Sequence, residues 1–291
     1  MFPLSSLMII LGLLSLMHGC SHREFYGKND VVEEVKLTGQ NIACLKRGYE
    51  WKWSEGSCRI KNFLDYCLEK KAPDDIVRTV NFIKNDLEKK DCEDAWHILN
   101  KSKGIYLSGY AISNIYPLYG LESLQFLRLD ENKIRDLFPL RSLKNLVVLR
   151  IDKNIIDNIE HLNQLKKLIV LRLDENRVKD LSPLKGIPTL VRLNANKNLI
   201  QDLSPLSGLP QLKKLGLRGN NIRDASALRS LKHLSYLDLR DTPLDQNRSL
   251  KSESTCPTTP DTPAVLKRFC EMSGREAPQP SGGRILKSRG E

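Results

Sequence analysis

Beyond residue 19 the chain carries four histidines, His22, His97, His161 and His233, the side chains best suited to proton transfer near neutral pH. They are far apart and fall at different phases of a repeat described below, so no two of them need converge. There is no HExxH, no GxSxG and no glycine-rich loop of the kind that cradles phosphate. Asp130, Asp152 and Asp174 recur at constant spacing and are expected to line up. A carboxylate pair working as acid and base needs unlike environments, whereas these three are expected to share equivalent surroundings next to arginines. Cys44, Cys58, Cys67, Cys92, Cys256 and Cys270 form no closely spaced CxxC pair of the structural-zinc kind. The expectation is a chain that binds without turnover, with no catalytic residue, no metal and no cofactor.

The balance of 40% hydrophobic and 28% charged residues suits a globular chain with a sizeable core. Its formal charge of +11 is unevenly spread. Lys and Arg against Asp and Glu number 16 and 15 over residues 20–103, 22 and 15 over 104–245, and 8 and 5 over 246–291. The excess sits mainly in the middle segment. A basic surface favours anionic partners such as acidic proteins, glycans, lipid head groups or nucleic acid, and selects none of them.

The first nineteen residues hold no Asp, Glu, Lys or Arg, and their apolar run from Leu7 to Met17 spans eleven residues. A membrane-spanning helix needs roughly twenty, so the run reads as the apolar region of a secretory signal. Leu16-Met17-His18-Gly19-Cys20 resembles the lipobox of bacterial lipoproteins, with Met17 where leucine is usual. That resemblance implies cleavage before Cys20 and a lipid on it, and Ser21 at the next position resembles outer-membrane sorting. A plain cleaved signal, leaving a secreted or soluble periplasmic protein, is the alternative. Export leaves six cysteines in an oxidising compartment where disulfides persist. Local pairing would give Cys44–Cys58, Cys67–Cys92 and Cys256–Cys270, but the first four allow three connectivities and spacing does not choose among them.

The elements that must position these residues announce themselves by period. Ile105, Leu127, Leu149, Leu171, Leu193, Leu215 and Leu237 follow one another at an unbroken spacing of twenty-two. Leu127-Arg-Leu129-Asp-Glu-Asn132-Lys-Ile134 shows the LxLxxNxI part of the leucine-rich-repeat signature, and later units repeat it. Alternation at LxL predicts a short strand with its leucines on one face. Stacked about 4.8 Å apart, such strands build a parallel sheet and bury leucines that no single unit could bury alone. The chain then turns where main-chain groups cannot reach water, and an asparagine amide can supply both donor and acceptor. Asn132, Asn154, Asn176, Asn198 and Asn220 are the expected ladder, with Tyr110 and Thr242 replacing Asn at its ends. Pro-Leu at 117–118, 139–140, 183–184 and 205–206 is expected to begin an irregular or short helical return on the convex side.

Both ends of such a stack need covering. Residues 62–102 are expected to cover the first, with a helix begun by Asp74 and Asp75 and a face of Ile76, Val80, Ile83 and Leu87. Cys44 to Cys58 reads as a disulfide-closed hairpin bearing Trp51 and Trp53. At the far end Cys256 and Cys270 bracket a turn and a short helix with Val265, Leu266 and Phe269. The expected fold is an α/β solenoid, a right-handed leucine-rich-repeat superhelix with a short parallel sheet on its concave face, a helical disulfide-bonded N-cap and a short disulfide-bonded C-cap. Its segments are a signal at 1–19, a linker at 20–43, a cysteine-rich hairpin and helical cap at 44–103, seven repeats at 104–245, a C-terminal cap at 246–272 and a disordered tail at 273–291.

Over 104–245 the sequence resembles the twenty-two-residue repeat class of internalins and of the phosphatase-regulator leucine-rich proteins. Asp91-Cys92-Glu-Asp-Ala95 running into Ile105-x-Leu107, and Cys256-Pro-Thr ending at Phe269-Cys270, resemble leucine-rich-repeat lipoproteins of predatory and other Gram-negative bacteria. The resemblance implies a recognition protein of the cell envelope and implies no particular ligand.

The repeat phase also predicts which side chains leave the concave face. One column runs Phe126, Val148, Val170, Arg192, Lys214, Tyr236; the next Tyr106, Arg128, Arg150, Arg172, Asn194, Gly216, Asp238; the third Ser108, Asp130, Asp152, Asp174, Asn196, Arg218, Arg240. Arginine and aspartate ladders can simply neutralise one another. An apolar strip beside arginines has instead the composition of an interface, and the expected ligand contacts are Phe126, Arg128, Asp130, Val148, Arg150, Asp152, Val170, Arg172, Asp174, Arg192, Asn194, Lys214, Arg218 and Tyr236. The expected partner is a protein or peptide, with the membrane met through the N-terminal lipid and no nucleic acid. The rival is a structural envelope lipoprotein adhering by its basic surface to anionic glycan or lipopolysaccharide.

Overall fold

The computed structural model describes residues 49–52, 57–247, 250–252 and 254–271. The signal-like segment, Cys20, Cys44, Trp53 and the tail from 273 lie outside the described residues. The described residues form two compact units, one holding those up to Leu99 together with Asn114–Gly120, the other holding Asn100–Ser113 and those from Leu121 onward.

The first unit holds an antiparallel hairpin and three helices. Strands β1 (Tyr49–Lys52) and β2 (Ser57–Ile60) pair with Trp51 opposite Cys58. Helix α1 (Phe63–Leu68) starts with a reciprocal cap: Asn62 Oδ1 accepts from Asp65 N–H at 3.2 Å while Asp65 Oδ2 accepts from Asn62 N–H at 2.8 Å. Helix α2 (Asp74–Asp86) has two acids in its first turn, where the helix dipole favours them. It buries Ile76, Thr79, Val80 and Ile83, while Leu87 lies just past the helix end. Buried Thr79 donates its hydroxyl to Asn114 O at 2.7 Å. Helix α3 (Cys92–Lys101) is joined to α1 by the Cys67–Cys92 disulfide, which settles one of the connectivities that spacing left open.

The second unit is a leucine-rich-repeat solenoid. Strands β3 (Gly104–Tyr106), β4 (Phe126–Arg128), β5 (Val148–Arg150), β6 (Val170–Arg172), β7 (Arg192–Asn194), β8 (Lys214–Gly216) and β9 (Tyr236–Asp238) form one parallel sheet in chain order. The register is constant, so Leu127, Leu149, Leu171, Leu193 and Leu215 stack as neighbours and are fully buried. Burying each such side chain contributes about 1.5–3 kcal/mol relative to exposure.

After strands β4 to β8 the expected asparagine ladder is present. Asn176 Nδ2 donates to Ile151 O at 2.9 Å, in the preceding repeat, and to Leu173 O at 3.1 Å, in its own. Its Oδ1 accepts from Ile156 N–H at 3.0 Å. Asn132, Asn154, Asn198 and Asn220 repeat the pattern. The residue before each asparagine turns through positive φ: Glu131, Lys153, Glu175, Lys197 and Gly219 all do so. Thr242 leaves the ladder and starts a helix, accepting from Asp245 N–H at 3.2 Å at the head of α4 (Pro243–Gln246).

The return segments are single 3₁₀ turns, at Phe138–Ser142, Glu160–Gln164, Ser182–Gly186, Ser204–Gly208 and Ser226–Ser230, with Tyr116–Leu118 in the first unit. Proline begins the four returns where the sequence carries Pro-Leu, whereas Glu160–Gln164 and Ser226–Ser230 form the same turn without one. The device common to all is an Asx turn: Asn114, Asp136, Asn158, Asp180, Asp202 and Asp224 each accept from the N–H two residues on, at 2.7–3.0 Å. Helix α5 (Ala264–Glu271), tied back by Cys256–Cys270, packs against β9 and buries Leu266. Ala225 N–H, in the last full return, donates to Thr255 O at 2.7 Å.

Candidate functional site on the sheet face

Strands β4 to β8 each bury their central leucine, and the flanking residues belong to the opposite face of the sheet, so the register decides what that face displays. Phe126 pairs with Val148, Val148 with Val170, Val170 with Arg192, Arg192 with Lys214 and Lys214 with Tyr236. Arg128, Arg150 and Arg172 are likewise direct neighbours, followed by Asn194, Gly216 and Asp238. The columns expected from the sequence are therefore brought together in the expected order. Three large aromatics stand open on them: Tyr106 is 57% exposed, Phe126 41% and Tyr236 49%.

The third column behaves differently from a row of free carboxylates. Asp130, Asp152 and Asp174 are at most 16% exposed at the side chain. Asp152 Oδ1 accepts from Asp174 N–H at 2.9 Å, Asp174 Oδ1 from Asn196 N–H at 2.7 Å, and Asn196 Oδ1 from Arg218 N–H at 2.9 Å. This is a second main-chain ladder, parallel to the asparagine one. Sequence reasoning missed it, although an unbroken Asp, Asp, Asn column beside a turn was its signal. Nor are the three aspartates equivalent, as had been expected. Asp130 accepts from Ser108 Oγ at 2.9 Å because the first repeat offers a serine there. Burial, reinforced by the charges of Asp174 and Asp130, pushes the Asp152 carboxyl up to about 6, against the pull of Asp174 N–H and Arg172. At the far end of the face burial also works against Asp238, but Arg240 outweighs it through Nε and Nη2 at 2.8 and 2.7 Å and holds that carboxyl below its ordinary value.

The arginines divide unequally. Arg128 Nη2 lies 3.4 Å from Asp130 Oδ2, and Arg172 lies 3.1 Å from Asp152 and 3.6 Å from Asp174. Arg150, between them, reaches no carboxylate within ion-pair distance among the described residues. Arg218 pairs with Asp241 at 2.6 Å. With Asp174, Asn196 and Asp238, Arg218 and Arg240 line a shallow depression toward the last strands. The histidines sit on separate elements: His97 on α3, His161 beside Phe138 with ring centres 5.1 Å apart, and His233 ahead of β9. Among the described residues, no three His, Cys, Asp or Glu side chains converge to hold a metal. No helix of the described residues is long and apolar enough to cross a membrane.

Seven in-register strands, two polar ladders and an open sheet face define a leucine-rich-repeat protein. Among solved structures the chain is similar to an internalin (inlF) from Listeria monocytogenes str. 4b F2365, at 25% identity over 60% of this chain and 58% of that one, with a TM-score of 0.47. It is also similar to internalin C2 (inlC2) of the same strain, at 27% identity over 56% of this chain and 82% of that one, with a TM-score of 0.45. The chain thus spans under two thirds of the length of the first of these. No protein-family model and no curated protein matches it.

Proposed function

We propose that this protein is a non-catalytic recognition module of the cell envelope that binds a protein or peptide through its sheet face. The observation that carries the reading is the combination of open aromatics, Tyr106, Phe126 and Tyr236, with aliphatic Val148 and Val170 on a face whose folding needs none of them. The stack is held by inward leucines and by main-chain ladders, so these outward side chains are surplus to stability. Large aromatics beside arginine are what interface centres use. Placement in the envelope rests on the lipobox-like Leu16–Cys20, with lipid on Cys20 and sorting to the outer membrane, and is supported by two disulfides of the kind that persist outside the cytoplasm.

Cross-linking the full-length protein in its native envelope tests this. Phe126→Ser with Val148→Asp should remove the cross-linked partner band while the melting temperature holds. Lys185→Glu with Arg229→Glu, on the return segments, should leave the band in place. A band that survives the sheet-face pair but not the return-segment pair would move the site to the convex side.

A further inference from the structure

We propose that Arg150 is a receptor for a single carboxylate of the partner, and hence that the partner presents an Asp or Glu flanked by apolar side chains. The proposal rests on the sheet face being the binding surface and adds the chemistry that surface selects. Three guanidinium groups stacked one strand apart, about 4.8 Å, repel one another unless each is paired. Three aspartates stand in the adjacent column, enough to pair them one to one. The structure does not do so. Asp152, which shares a repeat with Arg150, approaches Arg172 on the next strand instead. Asp174 adds a second contact to the same Arg172, and Asp130 serves Arg128.

None of the three aspartates is free to swing back. Asp152 and Asp174 each hold a main-chain N–H of the following repeat, and Asp130 holds the Ser108 hydroxyl. Turning Asp152 toward Arg150 would orphan a partly buried N–H, which costs about as much as the ion pair would return. The neighbouring pairs are themselves imperfect: Nε of Arg172 lies 3.1 Å from Asp152 Oδ2 without an aligned hydrogen bond, while Nε of Arg128 and Oδ1 of Asp130 are buried without a hydrogen-bond partner. The carboxylates are thus shared unevenly along the row, and Arg150 is the guanidinium of the three that none of them reaches.

Local charge and shape decide what fills it. Arg128, Arg150 and Arg172 against Asp130, Asp152 and Asp174 leave the patch near neutrality, so a polyanionic glycan or a phosphate cluster would meet the aspartate column as soon as it met the arginines. One carboxylate matches one unpaired guanidinium, whose planar fork suits it. Two residues back along each strand, on the same face, Phe126, Val148 and Val170 offer apolar contact to side chains beside that carboxylate.

The test uses a displayed library of random dodecapeptides selected on the full-length protein. Wild type should enrich peptides with Asp or Glu at a fixed place beside Leu, Ile or Phe. Arg150→Gln should weaken an enriched peptide about tenfold or more, Arg150→Lys should recover part of the loss, and selection on Arg150→Glu should shift that place to Lys or Arg, all with unchanged melting temperatures. If acidic–apolar peptides bind Arg150→Gln as well as wild type yet fail on Phe126→Ser, the carboxylate receptor is wrong and the sheet-face reading stands. If enriched peptides ignore both changes, the sheet-face reading fails as well. Selection of no peptide above the Arg150→Gln background, or capture of heparin that Arg192→Glu with Lys214→Glu abolishes, would also overturn the proposal.

Discussion

Asp152 carries more information than any other side chain on the sheet face. Its folded-state affinity for a proton is raised, to about 6 from an ordinary 3.8, chiefly by burial. A raised carboxyl means that the folded state binds the proton more tightly than the unfolded state, so the linkage slope is negative between those two values. Stability from this group is therefore greatest below about pH 4 and declines as pH rises through 6. Asp152→Asn cannot titrate. The stability of wild type minus that of the variant should fall between pH 4.5 and pH 7 by an amount on the order of 1–3 kcal/mol, after allowing for partial solvent screening. Denaturation midpoints at the two pH values measure it, and a difference that stays flat would show that the carboxyl is not perturbed. None of this was legible in the sequence, where Asp130, Asp152 and Asp174 look alike. Their spacing predicts that they align, but not which atom each will hold.

At the scale of the element, the twenty-two-residue unit was legible because its requirements are physical and repeat without exception. A strand that buries one leucine and a turn that must be satisfied inside the stack leave few side-chain choices, so Leu171, Leu173 and Asn176 could be placed by number alone. The 3₁₀ returns were read less well. Proline marks four of them in the sequence, but Asn158 and Asp224 start turns that lack it, through a side-chain hydrogen bond that composition does not announce. The cysteines of the first unit were underdetermined for a different reason: pairing depends on how helices pack, which spacing does not report. At the last repeat the Cys256–Cys270 bridge holds α5 on β9. Replacing both cysteines by serine should cost about 3 kcal/mol for a loop of this size. Because each repeat touches only its neighbours, amide exchange should quicken on β9 while β4 to β6 keep their protection. Equal loss along the whole sheet would mean that the stack unfolds as one block.

At the scale of the whole molecule, interior and display are separated by one residue. Leu173→Ala, fully buried in mid-stack, should cost about 2–5 kcal/mol by opening a cavity. Thermal unfolding should broaden, since the repeats on either side lose their coupling. Arg192→Glu with Lys214→Glu, on the open face, should move stability by less than about 1 kcal/mol. Calorimetry of the two variants decides whether the register is right, for a one-residue slip would exchange their effects. The unequal pairing of the three arginines was beyond the sequence, because an offset of one strand between a guanidinium and its carboxylate is settled by side-chain rotamers.

The left-handed turn residues have a consequence for how such a chain can grow or shrink. Glu131, Lys153, Glu175 and Lys197 alternate in sign from repeat to repeat, with Lys153 bonded to Glu131 at 2.7 Å and Lys197 to Glu175 at 3.1 Å. Removing the unit that carries Lys153 would set Glu131 against Glu175, whereas removing that unit together with the next would set Glu131 against Lys197. Each contact is exposed and contributes no more than about 1 kcal/mol, so deleting one unit should cost this margin of stability that deleting two adjacent units spares, a parity that denaturation of the two deletion variants would read.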